Sequence, residues 1–430
     1  MSISVATSEP ALIGGPKSVT LPVPNWPRVD DEVVAEVTRV LTTESLCPPG
    51  KGSIIGQFED NFARWLGRKY AIGTNSGTSA LHAGLIACGV EAGDEVITTP
   101  HTWGASIACI LHSLAIPVFA DIKPDNFTID PVSIESHITP RTKAILIVHI
   151  YGEPCDMDAI MAVARKHNLK VLEDCAQAHG GKYKGHLLGS QADAAAFSFQ
   201  AFKNLTGGEG GMMLCDDREM LERAMGMITH PARLDKELTL DEPKKYLDSL
   251  AFNYRMHTVS AAITNCHLKY LPKWQENRYR NYQYFADQVA DIDYIRLSTF
   301  DYPIQHGLYD IGMRYIQGDL PLNRDQVQKL LVAEGWNQEN YVGTPIYLRP
   351  RFRDRNYFGN GQPWALAESP IEYKEGDCPN SEHACKIELT PFGPPREPNL
   401  ELMDQWVTAL RKIGDHADAA AAWFEANPNA

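Results

Sequence analysis

Residues 194–211 read AAAFSFQAFKNLTGGEGG and place one lysine, Lys203, between an apolar run and a turn with four glycines. The unbroken small and aromatic residues at 194–199 are typical of a strand that is buried on both faces. Most lysines are solvated surface charges, and this is one interpretation of Lys203. An amine beside apolar walls, however, loses its proton readily, as a lysine that forms a Schiff base must. This segment leaves both interpretations open.

The strand before Lys203 is one of seven apolar runs that alternate with helical patterns along the chain. The runs cover 70–73, 95–99, 117–121, 144–149, 170–173, 194–199 and 211–215. Candidate helices lie between most of them, at 78–88, 105–114, 132–136 and 157–167. This alternation predicts an α/β fold with a mainly parallel, seven-stranded sheet that is covered by helices on both faces. In such a fold the ligand binds beyond the carboxyl ends of the strands.

Length and composition predict how the chain divides into domains. A chain of 430 residues exceeds the usual size of one hydrophobic core, so one large and one smaller domain are expected. Residues 1–27 are rich in Pro, Gly and Ser and are expected to form a loose N-terminal arm. We expect residues 28–292 to form the large domain and residues 293–430 a smaller C-terminal α+β domain, with helices near 324–334 and 399–413.

Charge and cysteine content exclude several classes of partner. A formal net charge of −14 argues against nucleic acid or an anionic membrane as the main partner. No stretch approaches the roughly 20 apolar residues of a membrane span, and the first residues lack the pattern of a signal peptide. The nine cysteines show no CxxC pair and no Cys/His spacing of a metal site. We therefore expect a cytoplasmic protein that holds no metal.

The segment NSGTSAL, residues 75–81, lies between the first predicted strand and a helix. Gly77 and Thr78 stand where the helix begins, and the free N–H groups and positive dipole end of a helix start suit a phosphate. The alternative is ordinary capping, in which Ser and Thr side chains satisfy the helix's own amides. The segment is not a nucleotide-binding P-loop, because no Gly-Lys-Ser/Thr closes it.

Two further residues follow predicted strand ends. Asp174 ends the strand in VLEDCAQAHG, where its carboxylate would pair with a protonated pyridine nitrogen or cap the following turn. Trp103 follows another strand and would stack on an aromatic ring or belong to the core. Neither residue decides the function alone. The specific feature is the order: a phosphate cradle, an aromatic ring, a carboxylate and then Lys203.

These stretches resemble the DegT/DnrJ/EryC1/StrS aminotransferases. The family is the sugar- and aminocyclitol-modifying branch of the fold type I enzymes that use pyridoxal 5′-phosphate (PLP). The resemblance runs from about residue 28 to residue 413 and is carried by NSGTSAL, VHIYGEPCDMD, VLEDCAQAHG and SFQAFKNLTGGEGG. The stretches FNYRM at 252–256 and YVGTP at 341–345 are similar to two further elements of the family.

The resemblance implies a role for each matching residue. Lys203 would hold PLP as a Schiff base and carry protons during the reaction, and Asp174 would pair with the pyridine nitrogen. Gln177 would hydrogen-bond the 3-oxygen of the cofactor, while Trp103 would stack on its ring. The cofactor phosphate would be held by Gly77, Thr78 and Ser198. Asn253 would reach the phosphate of the neighbouring subunit, so that a homodimer would be required for activity.

The resemblance also implies a reaction. An amino acid, glutamate or glutamine, would give its amino group to a keto-cyclitol similar to scyllo-inosose in a ping-pong mechanism. A nucleotide-keto-sugar is the alternative acceptor. Some relatives carry His in place of the lysine and dehydrate their substrate, so Lys203 favours transamination. A PLP dehydratase or an aromatizing enzyme is a further alternative. A purely regulatory role is disfavoured by the full set of cofactor residues.

Three departures from the family pattern concern substrate choice. Gly207 replaces the usual Ser before GEGG and is expected to loosen the loop, while the segments at 48–52 and 390–395 also differ. Candidate contacts to the acceptor are Lys51, His149, Tyr151, His179 and Tyr341, and the alternative for each of them is a structural or supporting role.

Overall fold

The computed structural model describes residues 8–46, 50–244 and 250–428. Within these ranges the strands, in chain order, are β1 (Tyr70–Thr74), β2 (Glu95–Thr98), β3 (Ile116–Phe119), β4 (Thr142–Val148), β5 (Lys170–Asp174), β6 (Lys182–Tyr183), β7 (His186–Leu187), β8 (Ala194–Ser198), β9 (Gly211–Cys215), β10 (Ile295–Leu297), β11 (Ile304–Gln305), β12 (Met313–Tyr315), β13 (Gln338–Glu339) and β14 (Glu388–Pro391).

The α-helices of the same ranges are α1 (Asp31–Thr43), α2 (Ile54–Leu66), α3 (Gly77–Ala87), α4 (Ala105–His112), α5 (Pro131–Ser136), α6 (Met157–His167), α7 (Arg218–Ile228), α8 (Pro231–Glu237), α9 (Asp241–Lys244), α10 (Thr258–Leu268), α11 (Leu271–Val289), α12 (Arg324–Ala333), α13 (Pro350–Arg353), α14 (Pro379–Ile387), α15 (Leu400–Asp415) and α16 (Ala417–Ala426). Among the described residues, no helix combines the length and the apolar character that crossing a membrane requires.

The central element is a seven-stranded sheet with the strand order β1-β9-β8-β5-β4-β2-β3. Its strands are parallel except β9, which pairs antiparallel with both β1 and β8. No helix separates β8 from β9, and a link without a crossover element joins antiparallel neighbours. The structure therefore confirms the mainly parallel sheet, with each of the seven predicted runs ending within two residues of an observed strand end.

The two faces of this sheet bury two different hydrophobic clusters. On β4, Ile145 and Ile147 belong to one cluster, whereas Leu146 belongs to the other. The same alternation separates Val171 from Leu172 on β5. Successive side chains of a strand point to opposite faces, so a run that is apolar at every position fills both cores. This is why the apolar runs of the sequence, with no polar alternation, predicted the strands.

The C-terminal part contains an antiparallel sheet of its own, with the order β10-β12-β14-β13. The sheet shares a separate hydrophobic cluster with α12 and α15, whose members include Met313, Leu330 and Trp406. Strand β14 is the element that matters for the site, because its first residue, Glu388, faces the large sheet's ligand edge as described below.

Residues 11–21 pack against this C-terminal part, which corrects the expectation of a loose arm for that stretch, while residues 1–7 lie outside the described residues. Val19 is buried in the C-terminal cluster, and its N–H donates to the carbonyl of Glu334 at 2.9 Å. The Lys412 ammonium donates to the carbonyl of Pro16 at 2.5 Å. Composition alone suggested looseness, but Leu12 and Leu21 pack against the same cluster as Val19, and these contacts dock the segment.

Residues 346–378 form an irregular segment on the outer edge of the large sheet. Tyr347, Phe352 and Trp364 share an apolar cluster with Phe119 of the edge strand β3. The phenol of Tyr373 donates to the carbonyl of Pro117 at 2.7 Å. An uncovered edge strand invites pairing with another chain, and this segment covers it.

Candidate active site

A cavity of about 510 Å³ opens at the carboxyl ends of β4, β5 and β8. The C-terminal part closes its other side with Tyr309, Tyr341 and Phe392. The cavity brings together seven of the residues that the sequence singled out: Gly77, Thr78, Trp103, Asp174, Gln177, Ser198 and Lys203. Parallel strands end at one edge of a sheet, which is why residues distant in sequence meet here.

Lys203 follows β8, and its ammonium lies 4.1 Å from the centroid of the Tyr309 ring. Burial lowers the pKa of Lys203 to about 8, although the carboxylates of Asp174 and Asp310 act in the opposite direction. The carbonyl of Lys203 accepts the indole N–H of Trp26 at 3.0 Å. An amine with this pKa is partly unprotonated near neutral pH, as a nucleophile has to be.

Asp174 is the last residue of β5 and is buried at the floor of the cavity. One carboxylate oxygen accepts the hydroxyl of Ser106 at 2.7 Å, and the other accepts the N–H of Ala176 at 3.0 Å. Burial raises the pKa of Asp174, because these two neutral donors do not replace the lost water. A buried carboxylate of this kind fits a cationic ring nitrogen, so the residue suits the pyridine of PLP.

The side-chain amide of Gln177 has an orientation that its neighbours determine. The N–H of Tyr151 lies 2.5 Å from Oε1, and a backbone N–H can only donate. The amide oxygen therefore faces Tyr151, and Nε2 faces the cavity, where it donates to the hydroxyl of Tyr341 at 2.6 Å. Nε2 of Gln177 therefore offers an N–H donor to the cavity.

The opposite end of the cavity is built by the start of α3. Ser76 caps this helix, and its hydroxyl accepts the N–H of Ser79 at 3.1 Å. The N–H groups of Gly77 and Thr78 belong to the first turn, whose donors have no acceptor within the helix. A Cβ at Gly77 would lie 2.6 Å from the Cβ of Ser198, so glycine lets the helix start approach β8. The arrangement fits a phosphate.

Trp103 lies at the mouth of the cavity, with 62% of its surface exposed. Its ring centroid is 6.0 Å from that of Tyr341, whose centroid in turn is 6.5 Å from that of Tyr309. The interpretation of Trp103 as a core residue is therefore wrong. Together the three rings form an aromatic wall of the cavity.

Asn253 is the one predicted cofactor residue that does not line this cavity. It is exposed, and its carbonyl accepts the side-chain amide of Asn75 at 3.1 Å. The next residue, Tyr254, accepts the N–H of Asn75 at 2.8 Å. The Asn253 backbone thus packs beside the phosphate end without entering it, and its reach into a neighbouring subunit stays a prediction.

The five candidate acceptor contacts divide into two groups. Tyr341 lines the cavity, whereas Lys51, His149, Tyr151 and His179 do not. Residues 48 and 49, which belong to the unusual loop, lie outside the described residues. Sequence analysis missed Ser106 and Tyr309. Ser106 lies on the first turn of α4, three residues after Trp103, and helical spacing could have found it; Tyr309 lies in an irregular segment without such a signal.

Gly207 also differs from its expectation. We expected this glycine to loosen the loop after Lys203, but a Cβ here would collide with the carbonyl of Ser260 and the hydroxyl of Thr264 on α10. The residue is buried against that helix. Gly207 therefore allows close packing, which tightens the loop.

Comparisons with known proteins agree with this geometry. The family described as the DegT/DnrJ/EryC1/StrS aminotransferase family matches residues 27–390. The spore coat polysaccharide biosynthesis protein SpsC of Bacillus subtilis (strain 168) is 42% identical over 405 residues, which cover 91% of this chain and 97% of the relative. A putative L-glutamine:3-amino-2,3-dideoxy-scyllo-inosose aminotransferase of Micromonospora echinospora is 34% identical and covers 86% of this chain and 88% of its own.

A solved structure is similar over the same length. The aminotransferase from Psychrobacter cryohalolentis has a TM-score of 0.80 and is 30% identical, covering 92% of this chain and 100% of its own.

Proposed function

The chain belongs to the DegT/DnrJ/EryC1/StrS aminotransferase family and is a PLP-dependent aminotransferase, and we propose that its acceptor is a keto-cyclitol similar to scyllo-inosose. We further propose that glutamine or glutamate is the donor and leaves as its keto acid before the ketone binds, in a ping-pong mechanism. The observation that carries the proposal is the single cavity that Lys203, Asp174 and Gln177 line together.

The residues of the cavity have separate tasks in this reaction. When bound, PLP supplies an electrophilic carbon and an electron sink. Lys203, whose pKa burial lowers to about 8, would hold PLP through its amine and would carry the proton to and from the substrate carbon. Asp174 would supply a negative charge for the ring nitrogen, and Gln177 would donate from Nε2. Gly77, Thr78 and Ser198 would hold the phosphate end, and Trp103 would stack on the ring.

The charge of the cavity supports an uncharged ketone. Among the described residues that line it, Lys203 is the only one with a cationic side chain, and Glu209 is acidic like Asp174. A nucleotide-sugar carries a diphosphate, which proteins usually hold with Arg or Lys. The start of α3 is already assigned to the cofactor phosphate. A neutral polyhydroxylated ring needs no such cations, and the name of the Micromonospora echinospora relative specifies an inosose.

The second candidate is a keto-sugar, and one observation favours it. The Bacillus subtilis relative, at 42% identity, is named for polysaccharide biosynthesis. In either case we propose that the active form is a homodimer in which Asn253 of one subunit reaches the phosphate of the other. Its exposed position beside the phosphate end, outside the cavity of its own subunit, supports this arrangement.

The proposal is tested by loading the PLP enzyme with the amino group of L-glutamine and offering two acceptors, scyllo-inosose and a nucleotide-4-keto-sugar. We expect mass spectrometry to detect replacement of the keto oxygen by an amino group in scyllo-inosose. Amination of the nucleotide-sugar alone would overturn the cyclitol assignment, and loss of water from either acceptor would indicate a dehydratase.

The role of Lys203 has its own test. Lys203→Ala is expected to bind PLP but to lose turnover by about 10⁴-fold or more, because both the attacking amine and the proton carrier are gone. The control is Lys166→Ala, an exposed lysine on α6, which should retain full activity. Borohydride reduction should attach the cofactor to the Lys203 peptide in the wild type and in Lys166→Ala but not in Lys203→Ala. Equal turnover in the two variants would contradict the assignment.

A further inference from the structure

Behind Gln177, hydrogen bonds join the floor of the cavity to the loop that carries Tyr341. Gln177 accepts from the N–H of Tyr151 at 2.5 Å and donates to the hydroxyl of Tyr341 at 2.6 Å. The phenol of Tyr151 donates to Glu388 at 2.9 Å, and Glu388 accepts the N–H of Val342 at 2.9 Å. Since Val342 is bonded covalently to Tyr341, the chain of contacts closes on itself. We call it the Glu388 ring.

Glu388 is the junction of this ring. One carboxylate oxygen accepts the N–H groups of Val342 and Gly343, at 2.9 and 3.2 Å. The other accepts the phenol of Tyr151 at 2.9 Å and lies 3.2 Å from Nε2 of His101. The side chain is fully buried. Burial acts to raise its pKa, but His101 and the two backbone donors hold the pKa of Glu388 below its ordinary value.

Tyr151 connects the two sides of the ring through an unusual backbone conformation. Its φ is 57°, in the left-handed region that residues with a side chain rarely adopt. This conformation directs the N–H to Gln177 while the phenol reaches Glu388. Strained backbone of this kind persists only where surrounding contacts hold it, and it is concentrated at functional sites.

None of these hydrogen bonds is a pairing between strands of the large sheet. They connect a strand of the C-terminal part, β14, to a residue on the cavity floor, and each of the two Glu388 oxygens serves one side. The Tyr341 loop is therefore held over the cavity by the same carboxylate that holds Tyr151 and, through it, the Gln177 amide.

We propose that Glu388 is a positioning residue: it fixes the Tyr341 loop over the cavity and sets the direction in which Gln177 presents its N–H to the cofactor. The second half of this inference rests on the role proposed above for Gln177. Glu388 touches neither substrate nor cofactor, so its effect is transmitted through Tyr151 and through the loop amides.

The test compares two substitutions at Glu388. Glu388→Met keeps the length of the side chain and removes both acceptors, whereas Glu388→Gln keeps one oxygen that can still accept from Val342 and Gly343. In the PLP-loaded enzyme we expect amide hydrogen exchange over residues 341–345 to rise about tenfold or more in Glu388→Met. In Glu388→Gln it should stay close to the wild type. PLP binding, titrated on the cofactor-free protein, should weaken in the same order.

The matched control is Glu222→Met. Glu222 is another fully buried carboxylate, which accepts from Thr239, Leu240 and Arg218 away from the cavity. Its loss is expected to lower global stability and to leave both exchange at 341–345 and PLP affinity at wild-type values. If Glu388→Met and Glu222→Met give the same exchange at 341–345, the proposal is wrong.

A second variant covers the case in which Glu388→Met does not fold. Tyr151→Phe removes only the phenol hydroxyl. The loop amides therefore keep Glu388 as their acceptor, while the hydrogen bond that connects Glu388 to Tyr151, and through Tyr151 to Gln177, is lost. We expect wild-type exchange at 341–345 together with about threefold or more weaker PLP binding. Wild-type PLP binding in this variant would contradict the claim that Glu388 acts on Gln177 through Tyr151. No readout uses an acceptor ketone, so a failure to aminate scyllo-inosose would refute the proposed substrate without affecting this result.

Discussion

Glu173 and Asp174 are consecutive buried acids at the end of β5, yet their surroundings are opposite. Because successive residues of a strand face opposite sides of a sheet, Asp174 enters the cavity and Glu173 points into the other core. The carboxylate of Glu173 lies 3.1 Å from Nε2 of His149. It also accepts three backbone N–H groups, from Gly189, Gln191 and Ala192. Among the described residues, Asp174 accepts only the hydroxyl of Ser106 and the N–H of Ala176.

The two pKa values shift in opposite directions for this reason. Burial acts to raise the pKa of Glu173, but His149 and the backbone donors hold it below its ordinary value. Burial raises the pKa of Asp174, and its donors do not offset the effect. The fold supplies Glu173 with enough hydrogen-bond donors to stabilise its charge, whereas the charge of Asp174 is left for a ligand to stabilise. An acid that the fold leaves incompletely satisfied is thus a better sign of a site than burial alone.

The comparison also explains a cluster that resembles a metal site. Polar atoms of His149, Glu173 and Cys175 all lie within 4.8 Å of one another. The Glu173 oxygens are occupied by backbone donors, and Nδ1 of His149 accepts the N–H of Cys155 at 3.1 Å. The lone pairs that a metal would need are therefore used to hold the strand end in place.

The largest effect is expected from Asp174→Asn, which removes the charge on the cavity side. The amide cannot compensate a cationic ring nitrogen, so turnover should fall by about 10²–10³-fold. The free energy of unfolding of the cofactor-free protein should change little, because the loss of a buried charge offsets a weakened hydrogen bond. Turnover and urea unfolding measure the two quantities. A large loss of stability with normal turnover would reverse the assignment of the two acids.

Glu173→Gln is the reciprocal substitution and should act on stability. An amide cannot accept all the donors that converge on Glu173, and breaking such a buried charged arrangement costs about 3–5 kcal/mol. The fraction that remains folded should retain its turnover per cofactor bound, measured after PLP content is determined by absorbance. Asp174→Asn serves as the control, since it is one residue away and equally buried. Loss of turnover in fully folded Glu173→Gln would contradict the assignment of Glu173 to stability and Asp174 to catalysis.

A smaller effect is expected in the pH dependence of stability. The folded-state pKa of Asp174 lies above its unfolded value of about 3.9, so its ionisation lowers stability as pH rises through the folded pKa. The folded-state pKa of Glu173 lies below its unfolded value of about 4.3, so the stability it contributes is present above that value and is lost as pH falls.

The two variants should therefore respond to pH in opposite senses. In urea unfolding of the cofactor-free protein, the free energy of unfolding of Asp174→Asn should rise relative to that of the wild type as pH rises above about 4. The loss of unfolding free energy in Glu173→Gln, relative to the wild type, should become smaller as pH falls below about 4. Loading with PLP, which brings a cation to Asp174, should abolish the first trend and leave the second. Parallel responses in both variants would show that the two acids share one environment.

The sequence predicted the cavity side of this comparison better than the core side. Lys203, Asp174 and Gly77 follow apolar runs, and the rule that ligands bind at the carboxyl ends of parallel strands was sufficient to bring them together. Periodicity also separates consecutive strand residues, so it indicates that Glu173 faces away from Asp174. It does not indicate which backbone N–H groups converge on Glu173, because these belong to an irregular loop.

The contacts that hold the site from behind were not predictable from local pattern. Glu388 lies 237 residues from Tyr151 along the chain, and the packing of β14 near the ligand edge of the large sheet brings them together. The collision that makes Gly207 necessary likewise depends on where α10 lies. Periodicity reports which face of an element is buried, and it carries no information about which distant element covers that face.

The smallest effect is expected from Ser106→Ala, which makes Asp174 still less satisfied. The Ser106 hydroxyl is one of two donors to this carboxylate, at 2.7 Å, and donors to the charged form lower a pKa. Its loss should raise the pKa of Asp174 further and reduce turnover about fivefold, the equivalent of one hydrogen bond of about 1 kcal/mol. The acid limb of the turnover–pH profile should move to higher pH.

The control for this substitution is Ser113→Ala. Ser113 follows α4, and its hydroxyl donates to the carbonyl of Cys109 at 3.1 Å, away from the cavity. It should leave both turnover and the acid limb at wild-type values. Because Ser106→Ala retains the charge of Asp174, its loss of turnover must be much smaller than that of Asp174→Asn. Equal losses would mean that the position of the carboxylate matters more than its charge, and an unmoved acid limb would separate Ser106 from Asp174.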